Sequence, residues 1–389
     1  MTALVDPGAA VRDTAALVAI DSQNPGPLEG ECGSWVRRRL ETAGLSVATQ
    51  TVAPGRDNLL CTIPGTGEAP RLVLVAHLDT VPFGGGWSRA PLGGEVHGGK
   101  LYGRGSCDMK AGLALGMGLL ETLHRNGITP RGDVVLCCTV DEEAPHMAGA
   151  HALVHEGLVG PQDQVLALEP TGCRLRIAQV GLRWLTVTVQ GRQCHAGRAH
   201  LGIDANHVMA RVIDHVKATV AGLGIDDELL GPPRMTCGTL HGGVATNVVP
   251  GSSTATFDVR LVPPLTPDAV AQIVERAVGE AVSAFPGAGF EVAALGAARP
   301  PVRASETAHL VTGLRQAFRT VTGRVLESGG ADGHEAYTDA SMIAALTGSD
   351  RCTVFGPGSS DVAHTVDEFV PLADIDLVAG VLTRLVTDW

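Results

Sequence analysis

Short apolar runs alternate with stretches of helical periodicity in the first half of the chain. Arg71–Ala76, Asp133–Val140 and Gln164–Leu168 are runs of mostly apolar side chains, typical of strands that are buried on both faces of a sheet. Met109–Arg125 and Ala148–His155 carry apolar residues at helical spacing. Because strands alternate with helices here, the pattern predicts a layered α/β domain with a mostly parallel sheet.

The periodicity changes after residue 180. Leu182–Gln190 alternates apolar and polar positions, as a half-exposed strand does. The elements predicted beyond it are a helix at Ala205–Ala221, strands at Met235–His241 and Ser253–Leu261, a helix at Pro267–Ala284 and a strand at Phe290–Ala294. This β-α-β-β-α-β order is that of a ferredoxin-like unit. We therefore predict an α+β domain at 181–294, inserted into an α/β domain made of 1–180 and 295–389.

Composition and charge restrict the classes of partner. The chain has 389 residues, 44% of them hydrophobic and 18% charged, enough for two domain cores. A net charge of −12 and 3% aromatic residues argue against a nucleic acid or an anionic membrane as the main partner. No uncharged apolar run is long enough to predict a membrane span. Nine cysteines without a Cys-x-x-Cys pair, and an N-terminus unlike a secretory signal, favour a cytoplasmic protein with reduced thiols.

Histidine and acidic side chains follow the predicted parallel strands. His77 and Asp79 come after the first strand, Asp141–Glu143 after the second and Glu169 after the third. Active sites of such sheets lie just beyond the carboxyl ends of the strands. Residues two apart in an extended chain point the same way, so the Asp79 carboxylate could accept a ring N–H from His77 and fix its tautomer. Taken alone, each group also fits an ordinary loop or a solvated acidic run.

Two more candidates follow glycine-rich turns. Asp108 comes after Gly103-Arg-Gly-Ser-Cys and opens a predicted helix, and His364 comes after Gly356-Pro-Gly. Asp108 could merely cap its helix. A nucleotide phosphate loop is a weaker alternative, because Asp108 replaces the final glycine of that motif.

Taken together, these positions suit a pair of divalent ions. The candidate ligands are His77, Asp108, Glu143, Glu169 and His364. Two imidazoles and three carboxylates, one of them shared, fit two Zn²⁺ ions, with Co²⁺ or Mn²⁺ as alternatives. Glu142 is next to a ligand but itself free, so it could take a proton from water at such a centre. The motifs His-Glu-x-x-His, Gly-x-Ser-x-Gly and Walker A do not occur in the chain.

Five motifs occur in order along nearly the whole chain. They are His77-x-Asp79-Thr-Val-Pro, Gly103-Arg-Gly-x-x-Asp108-Met-Lys, Asp141-Glu142-Glu143, Glu169-Pro and Gly356-Pro-Gly…His364-Thr-x-Asp-Glu368. Together they resemble the co-catalytic zinc amidohydrolases, the family of acetylornithine deacetylase, succinyl-diaminopimelate desuccinylase, aminoacylase and glutamate carboxypeptidase.

The resemblance assigns a role to each position of these motifs. It implies that His77 and Glu169 bind one zinc ion, that Glu143 and His364 bind the other, and that Asp108 bridges the two. It also implies that Asp79 orients His77 and that Glu142 is the general base and acid.

The family's inserted lid domain, often used for dimerisation, corresponds to the 181–294 insert, so a homodimer is expected. His195 resembles the lid histidine that stabilises the oxyanion, often in the site of the partner subunit. Asn247 and Arg260 resemble positions that hold a substrate carboxylate. Asp339 and Gly358, the last residue of the Gly356-Pro-Gly loop, resemble further parts of the pocket wall.

The chain departs from the family pattern at two places. The stretch after Glu143 looks one residue longer than usual and contains Pro145–His146, and Ala199 replaces a common proline. Both departures are compatible with a specialised substrate.

The expected function is metal-dependent hydrolysis of the amide bond of an N-acyl amino acid, of the deacylase or desuccinylase type. In the resemblance, glutamate rather than aspartate at position 169 favours this type. The alternative is a dipeptidase or carboxypeptidase that uses the same metal centre. A binding protein with a vestigial site and a nucleotide-dependent enzyme are weaker alternatives, since the ligand positions and Glu142 are all present and no phosphate loop is intact.

Overall fold

The computed structural model describes residues 5–328 and 336–389. Its strands are β1 (Val47–Ala53), β2 (Arg56–Ile63), β3 (Leu72–His77), β4 (Glu95–His97), β5 (Lys100–Tyr102), β6 (Val134–Thr139), β7 (Gln164–Ala167), β8 (Ala178–Gln179), β9 (Gly181–Gln190), β10 (Cys194–His195), β11 (Arg234–Gly242), β12 (Val248–Val249), β13 (Ser252–Leu261), β14 (Gly289–Arg299), β15 (Val302–Arg303), β16 (Cys352–Val354) and β17 (Phe369–Pro371). Its α-helices are α1 (Pro7–Val18), α2 (Gly30–Thr42), α3 (Ala111–Arg125), α4 (Ala148–His155), α5 (Ala205–Ala221), α6 (Pro267–Ser283), α7 (His309–Thr322), α8 (Asp339–Thr347) and α9 (Leu372–Asp388).

Contacts divide the described residues into two compact units. One comprises residues 5–178, 303–328 and 338–389, and the other comprises residues 179–302 with 336–337. The domain borders at 181 and 294 stay a prediction. In the described ranges, no helix has both the length and the apolar character that are needed to cross a bilayer.

A six-stranded sheet organises the first unit. Its strand order is β1-β2-β6-β3-β7-β16, in which β6, β3, β7 and β16 are parallel and the β1–β2 hairpin is antiparallel. Every residue of the four parallel strands is buried, as the apolar runs predict. The predicted layered α/β fold with a mostly parallel sheet is therefore confirmed. Because the strands are parallel, their carboxyl ends meet at one edge, where His77, Thr139, Ala167 and Val354 are the last residues.

Helix α3 packs closely against this sheet because it carries glycine where the strands approach. A Cβ on Gly112 would lie 2.0 Å from the carbonyl oxygen of Leu168, and one on Gly116 would lie 2.9 Å from the Leu136 side chain. Glycine allows such close approach because it has no side chain. The close approach of Gly112 to the Leu168 carbonyl places the start of α3 beside Leu168. The start of this helix comes just after Asp108, and Leu168 immediately precedes Glu169, so the two candidate ligands are brought near each other.

The second unit is built on a four-stranded antiparallel sheet with the order β11-β13-β9-β14. Helices α5 and α6 pack against each other and supply the core with the inward positions of β9 and β13. The chain order β9-α5-β11-β13-α6-β14 confirms the ferredoxin-like topology. Strand β14 is longer than the predicted Phe290–Ala294, because its pairing with β9 extends from Gly289 to Arg299.

Candidate metal centre and active site

The carboxylate of Asp108 faces two histidines from different parts of the chain. Its Oδ1 atom lies 3.1 Å from Nε2 of His77, and its Oδ2 atom lies 3.3 Å from Nε2 of His364. Asp108 belongs to the turn Ser106–Lys110 at the start of α3. A carboxylate that offers one oxygen to each side has the arrangement of a ligand shared by two metal ions.

Glu169 completes the group around His77. Its Oε2 atom lies 3.8 Å from Nε2 of His77, and both side chains are almost fully buried. The other ring nitrogen, Nδ1, is 2.9 Å from the main-chain carbonyl oxygen of Asp79. A carbonyl can only accept, so in the neutral imidazole Nδ1 carries the proton and Nε2 keeps the lone pair that a metal requires.

Glu143 completes the group around His364. Its Oε1 atom lies 3.0 Å from Nε2 of His364. The Glu143 side chain is 7% exposed and that of His364 is 49% exposed, so the histidine forms the open rim of the site. His364 has a positive φ of 62°, a conformation that a non-glycine residue adopts at some energetic cost and that is common at functional sites.

Burial of several carboxylates shifts the pKa values of the site. Burial raises the pKa of Glu169 well above its usual range, and the neighbouring Asp108 adds to the shift. For Asp108, burial acts upward, but hydrogen bonds from His364 and His77 outweigh it and hold the pKa well below the usual range. Burial acts downward on the pKa of His364, but Asp108 and Glu143 raise it to about 11. Such a concentration of buried negative charge attracts a cation.

The donor set fits divalent metal ions. His77, Asp108 and Glu143 offer ligand atoms that all lie within 4.8 Å of one another. With Glu169 and His364, the set combines imidazole and carboxylate donors, which suit Zn²⁺, Co²⁺ and Mn²⁺. The structure thus brings all five candidate ligands together, in the two groups that the family resemblance implies.

Glu142 lies beside this cluster, and its carboxylate has no hydrogen-bond partner among the described residues. Its main-chain N–H donates to Oδ1 of Asp79 at 3.3 Å, which fixes the backbone and leaves the side chain available. Burial raises the pKa of Glu142 well above its usual range, and His77 opposes this shift. A carboxylate of raised pKa is suited to accept a proton and return it at neutral pH.

The structure corrects one detail of the expected role of Asp79. Its main-chain carbonyl, not its carboxylate, accepts the His77 ring N–H at 2.9 Å, and the nearest carboxylate oxygen is 3.6 Å from that nitrogen. The carboxylate instead accepts the main-chain N–H groups of Glu142 and Glu143, the latter at 3.2 Å. Two successive amides compete better for the anion than one ring N–H that already has a carbonyl partner. Asp79 therefore joins the loop after β3 to the loop after β6.

Asn24 is a buried member of the site that the sequence analysis missed. Its side-chain amide donates to Asp79 at 2.9 Å and to Asp141 at 3.2 Å. Arg56 holds Asp141 at 2.8 Å and also pairs with Glu29. Asn24 belongs to a turn sequence, Asn-Pro-Gly, which indicates a loop but gives no signal of contact with residues more than fifty positions away.

Asp339 and Gly358 both lie in the first unit, but neither is an open part of a pocket wall. Asp339 is 1% exposed and accepts a hydrogen bond from Thr139, the last residue of β6. Gly358 has φ of 81°, and a Cβ there would lie 2.5 Å from Sγ of Cys107. Gly358 thus packs directly on the residue before Asp108.

His195 and Asn247 are neighbours within the second unit. His195, in β10, pairs with Val248 in β12, and the amide of Ala196 donates to the carbonyl of Asn247 at 3.0 Å. Its ring Nδ1 accepts from the amide of Gly197 at 3.0 Å, which leaves Nε2 directed away from its own turn. The His195 residue is exposed.

Arg260 lies apart from this pair. Its guanidinium makes two hydrogen bonds to Asp258, at 2.7 and 2.9 Å. Arg260 lies near the end of β13, whereas Asn247 precedes the start of that strand at Ser252. The eight residue-to-residue steps from Ser252 to Arg260 span about 26 Å at 3.3 Å per step. Arg260 thus lies near the end of β13 that is farther along the chain from Asn247.

Residues 73–388 match the sequence profile of peptidase family M20/M25/M40. The chain belongs to this family. The predicted family resemblance is thereby confirmed.

The curated relatives of the chain include a desuccinylase and a deacetylase. A succinyl-diaminopimelate desuccinylase of Gluconacetobacter diazotrophicus is 30% identical, with 99% of this chain and 100% of the relative covered. An acetylornithine deacetylase of Myxococcus xanthus is 29% identical, with 90% of each protein covered.

A solved structure has the same fold. It is the Bacillus subtilis YXEP protein, described as a dinuclear metal-binding peptidase of family M20, with a TM-score of 0.71, 14% identity and 98% of each chain covered. The family profile and the two curated relatives, and not this structural likeness, show that the chain is an amidohydrolase-type enzyme, and metal binding is consistent with its family.

Proposed function

We propose that the protein is a metal-dependent deacylase that hydrolyses the amide bond of an N-acyl amino acid. The observation that carries the proposal is the Asp108 carboxylate, which offers its two oxygens to two separate groups, His77 with Glu169 and His364 with Glu143. This arrangement supports two bound ions per chain, and its mixed nitrogen and oxygen donors favour Zn²⁺ over Mg²⁺ or Ca²⁺. Co²⁺ and Mn²⁺ are the alternatives.

The bound metal supplies Lewis-acid polarisation of the scissile carbonyl and lowers the pKa of the attacking water. Glu142 accepts one proton from that water while the new carbon–oxygen bond forms. It then gives the proton to the amine nitrogen as the carbon–nitrogen bond breaks. One carboxylate thus acts first as base and then as acid, and this type of assistance contributes about 10²–10⁴-fold to a rate.

The rest of the chain keeps Glu142 in place for both transfers. Asp79 holds its main chain, and Asn24 holds Asp79. These partners leave the Glu142 carboxylate without a competing hydrogen bond among the described residues.

Two arguments support the substrate class: the names of the curated relatives, and glutamate rather than aspartate at position 169, which in the family resemblance favours the deacylase type. The two curated relatives are named for removing succinyl and acetyl groups from amino-acid derivatives. A dipeptidase or carboxypeptidase remains the second candidate, because the family is a peptidase family and its dinuclear structural neighbour is described as a peptidase.

We further propose that two copies of the chain form the complete active site. The separation of Asn247 from Arg260 along β13 favours a substrate that is held by residues of two copies. In a homodimer, Arg260 of one copy and Asn247 with His195 of the other could contact one substrate. The exposed edge strand β11, with Leu240 53% exposed, is a suitable surface for such pairing.

The decisive experiment is a substrate panel with the protein loaded with Zn²⁺ or Co²⁺. It contains N-acetyl amino acids, N-succinyl diamino acids and dipeptides, at equal concentrations. We expect turnover of at least one acylated amino acid to exceed that of every dipeptide. Hydrolysis of dipeptides alone would exclude the deacylase assignment and favour the second candidate.

The cytoplasmic location expected from the sequence stays a prediction.

A further inference from the structure

Glu368 is a buried carboxylate that contacts the main chain of the Asp108 turn. Its Oε1 atom accepts the N–H of Cys107 at 2.9 Å and the N–H of Asp108 at 3.1 Å. Its Oε2 atom pairs with the guanidinium of Arg104. Oε1 thus orients two successive amides of the turn, and the guanidinium of Arg104 neutralises the charge at Oε2.

The main chain of Glu368 contacts the same turn. Its carbonyl oxygen accepts the amide of Gly103 at 2.9 Å and the hydroxyl of Ser106 at 3.4 Å. The Glu368 side chain is 0% exposed and that of Arg104 is 3% exposed. Moving such a pair out of water is costly and is tolerated only where further hydrogen bonds satisfy the charges, as the two amides do here.

Glu368 therefore links two ligand-bearing segments that are more than 250 residues apart in sequence. It lies four positions after His364 in the same loop, and its carboxylate holds the backbone of Asp108. Because Asp108 must direct one oxygen to each histidine, a small rotation of its backbone would withdraw one oxygen from one group.

We propose that Glu368 is a positioning residue that sets the Asp108 carboxylate relative to His364. It touches no ligand atom and acts through the amides of Cys107 and Asp108. The inference rests on the proposed function, in which Asp108 is the ligand shared by both groups.

Two substitutions at Glu368 separate the effect of the side-chain length from the effect of the charge. Glu368→Gln keeps the length but places an amide N–H₂ group against either Arg104 or the two main-chain N–H groups. Glu368→Asp keeps the charge but shortens the side chain by one methylene, which moves the carboxylate away from its partners. The matched controls are Glu121→Gln and Glu121→Asp, because Glu121, in α3, pairs with Arg39 at 2.7 Å and makes no hydrogen bond or ion pair with the turn in the described part of the chain.

The first measurement is the Zn²⁺ affinity of each metal-free variant, determined by competition with a chromophoric chelator. The second is the visible absorption spectrum of the same variant loaded with Co²⁺. We expect both Glu368 variants to bind at least one ion about 10- to 100-fold more weakly, the usual effect of losing a group that supports a ligand. The Co²⁺ spectrum should change, since it reports the ligand geometry. At saturating metal, kcat should fall with KM little changed.

The outcomes separate this inference from the proposed function. If wild type binds no ion, the proposed function itself fails. If wild type binds metal and either folded Glu368 variant matches its control in affinity and in the Co²⁺ spectrum, the positioning role is overturned. Should Glu368→Gln fail to fold, Glu368→Asp, which retains the negative charge, decides alone.

Discussion

Asp79 accepts the main-chain N–H of Glu142 at 3.3 Å on one carboxylate oxygen, while the carboxylate of Glu142 itself has no hydrogen-bond partner among the described residues. Glu142, the proposed proton acceptor, is thus held by its backbone, and its side chain is free. Because Asp79 has a positioning role and Glu142 transfers the proton, we expect substitutions of the two residues to have different effects.

Replacing Glu142 with glutamine should abolish turnover without removing metal. The amide cannot accept and return a proton, so kcat should fall by about 10²–10⁴-fold. The measurement is steady-state kinetics combined with elemental analysis of the same sample. Glu156→Gln, at the exposed end of α4, is the control and should keep wild-type kcat. A Glu142→Gln enzyme with more than about a tenth of wild-type kcat would remove Glu142 from the role.

The metal-free protein should lose stability as pH rises above 4. Burial raises the pKa of Asp79 from 3.8 to about 7, with Glu143 and Glu29 adding to the shift and His77 opposing it. Between these two pH values the folded state keeps a proton that the unfolded chain has released, so folding is favoured at low pH and the advantage is lost by about pH 7. At 1.36 kcal/mol per pKa unit, the change is at most about 4 kcal/mol.

Urea midpoints at pH 5 and pH 8 measure this dependence. Metal-free wild type should be less stable at pH 8, and Asp79→Asn, which cannot titrate, should show a smaller difference between the two pH values. Equal stability of metal-free wild type at both pH values would contradict the expected contribution of Asp79.

Two alanine substitutions in α3 test how closely that helix packs. Gly112→Ala would place a methyl group 2.0 Å from the Leu168 carbonyl, whereas the nearest atom to a Cβ at Gly118 is 3.4 Å away. Overpacking should destabilise Gly112→Ala by about 1–3 kcal/mol or more. Gly118→Ala should be neutral or should gain up to about 1 kcal/mol from helix propensity. Thermal unfolding of both variants checks the order, and a Gly112→Ala protein as stable as Gly118→Ala would contradict it.

A mixing experiment tests whether the lid acts across subunits. His195→Ala and Glu142→Gln should each be nearly inactive alone. In a hybrid dimer, the site with intact Glu142 would receive His195 from its partner, so activity should rise above the sum of the two separate variants. If hybrid dimers form and activity does not rise, His195 does not act in the site of the partner.

The sequence predicted the parallel sheet and the clustering of the five candidate ligands because both depend on local signals. Fully apolar strands and the rule that sites follow their carboxyl ends placed His77, Glu143 and Glu169 at one edge. The roles of Asn24, Arg104 and the Glu368 carboxylate were not predicted, since their contacts are set by loops that meet only in the folded chain. The detail of Asp79 was wrong for the same reason: an alternation argument gives the direction of a side chain, but not which of several nearby N–H groups it accepts.

The metal content of the purified chain tests the central claim most directly. The metal-free protein is incubated with excess Zn²⁺, passed through a desalting column and analysed by elemental mass spectrometry, with Asp108→Ala treated in parallel. We predict two equivalents of zinc per wild-type chain and loss of at least one in Asp108→Ala. A folded wild-type chain that retains no zinc, or two equivalents retained by both proteins, would contradict the claim that Asp108 joins two metal-binding groups.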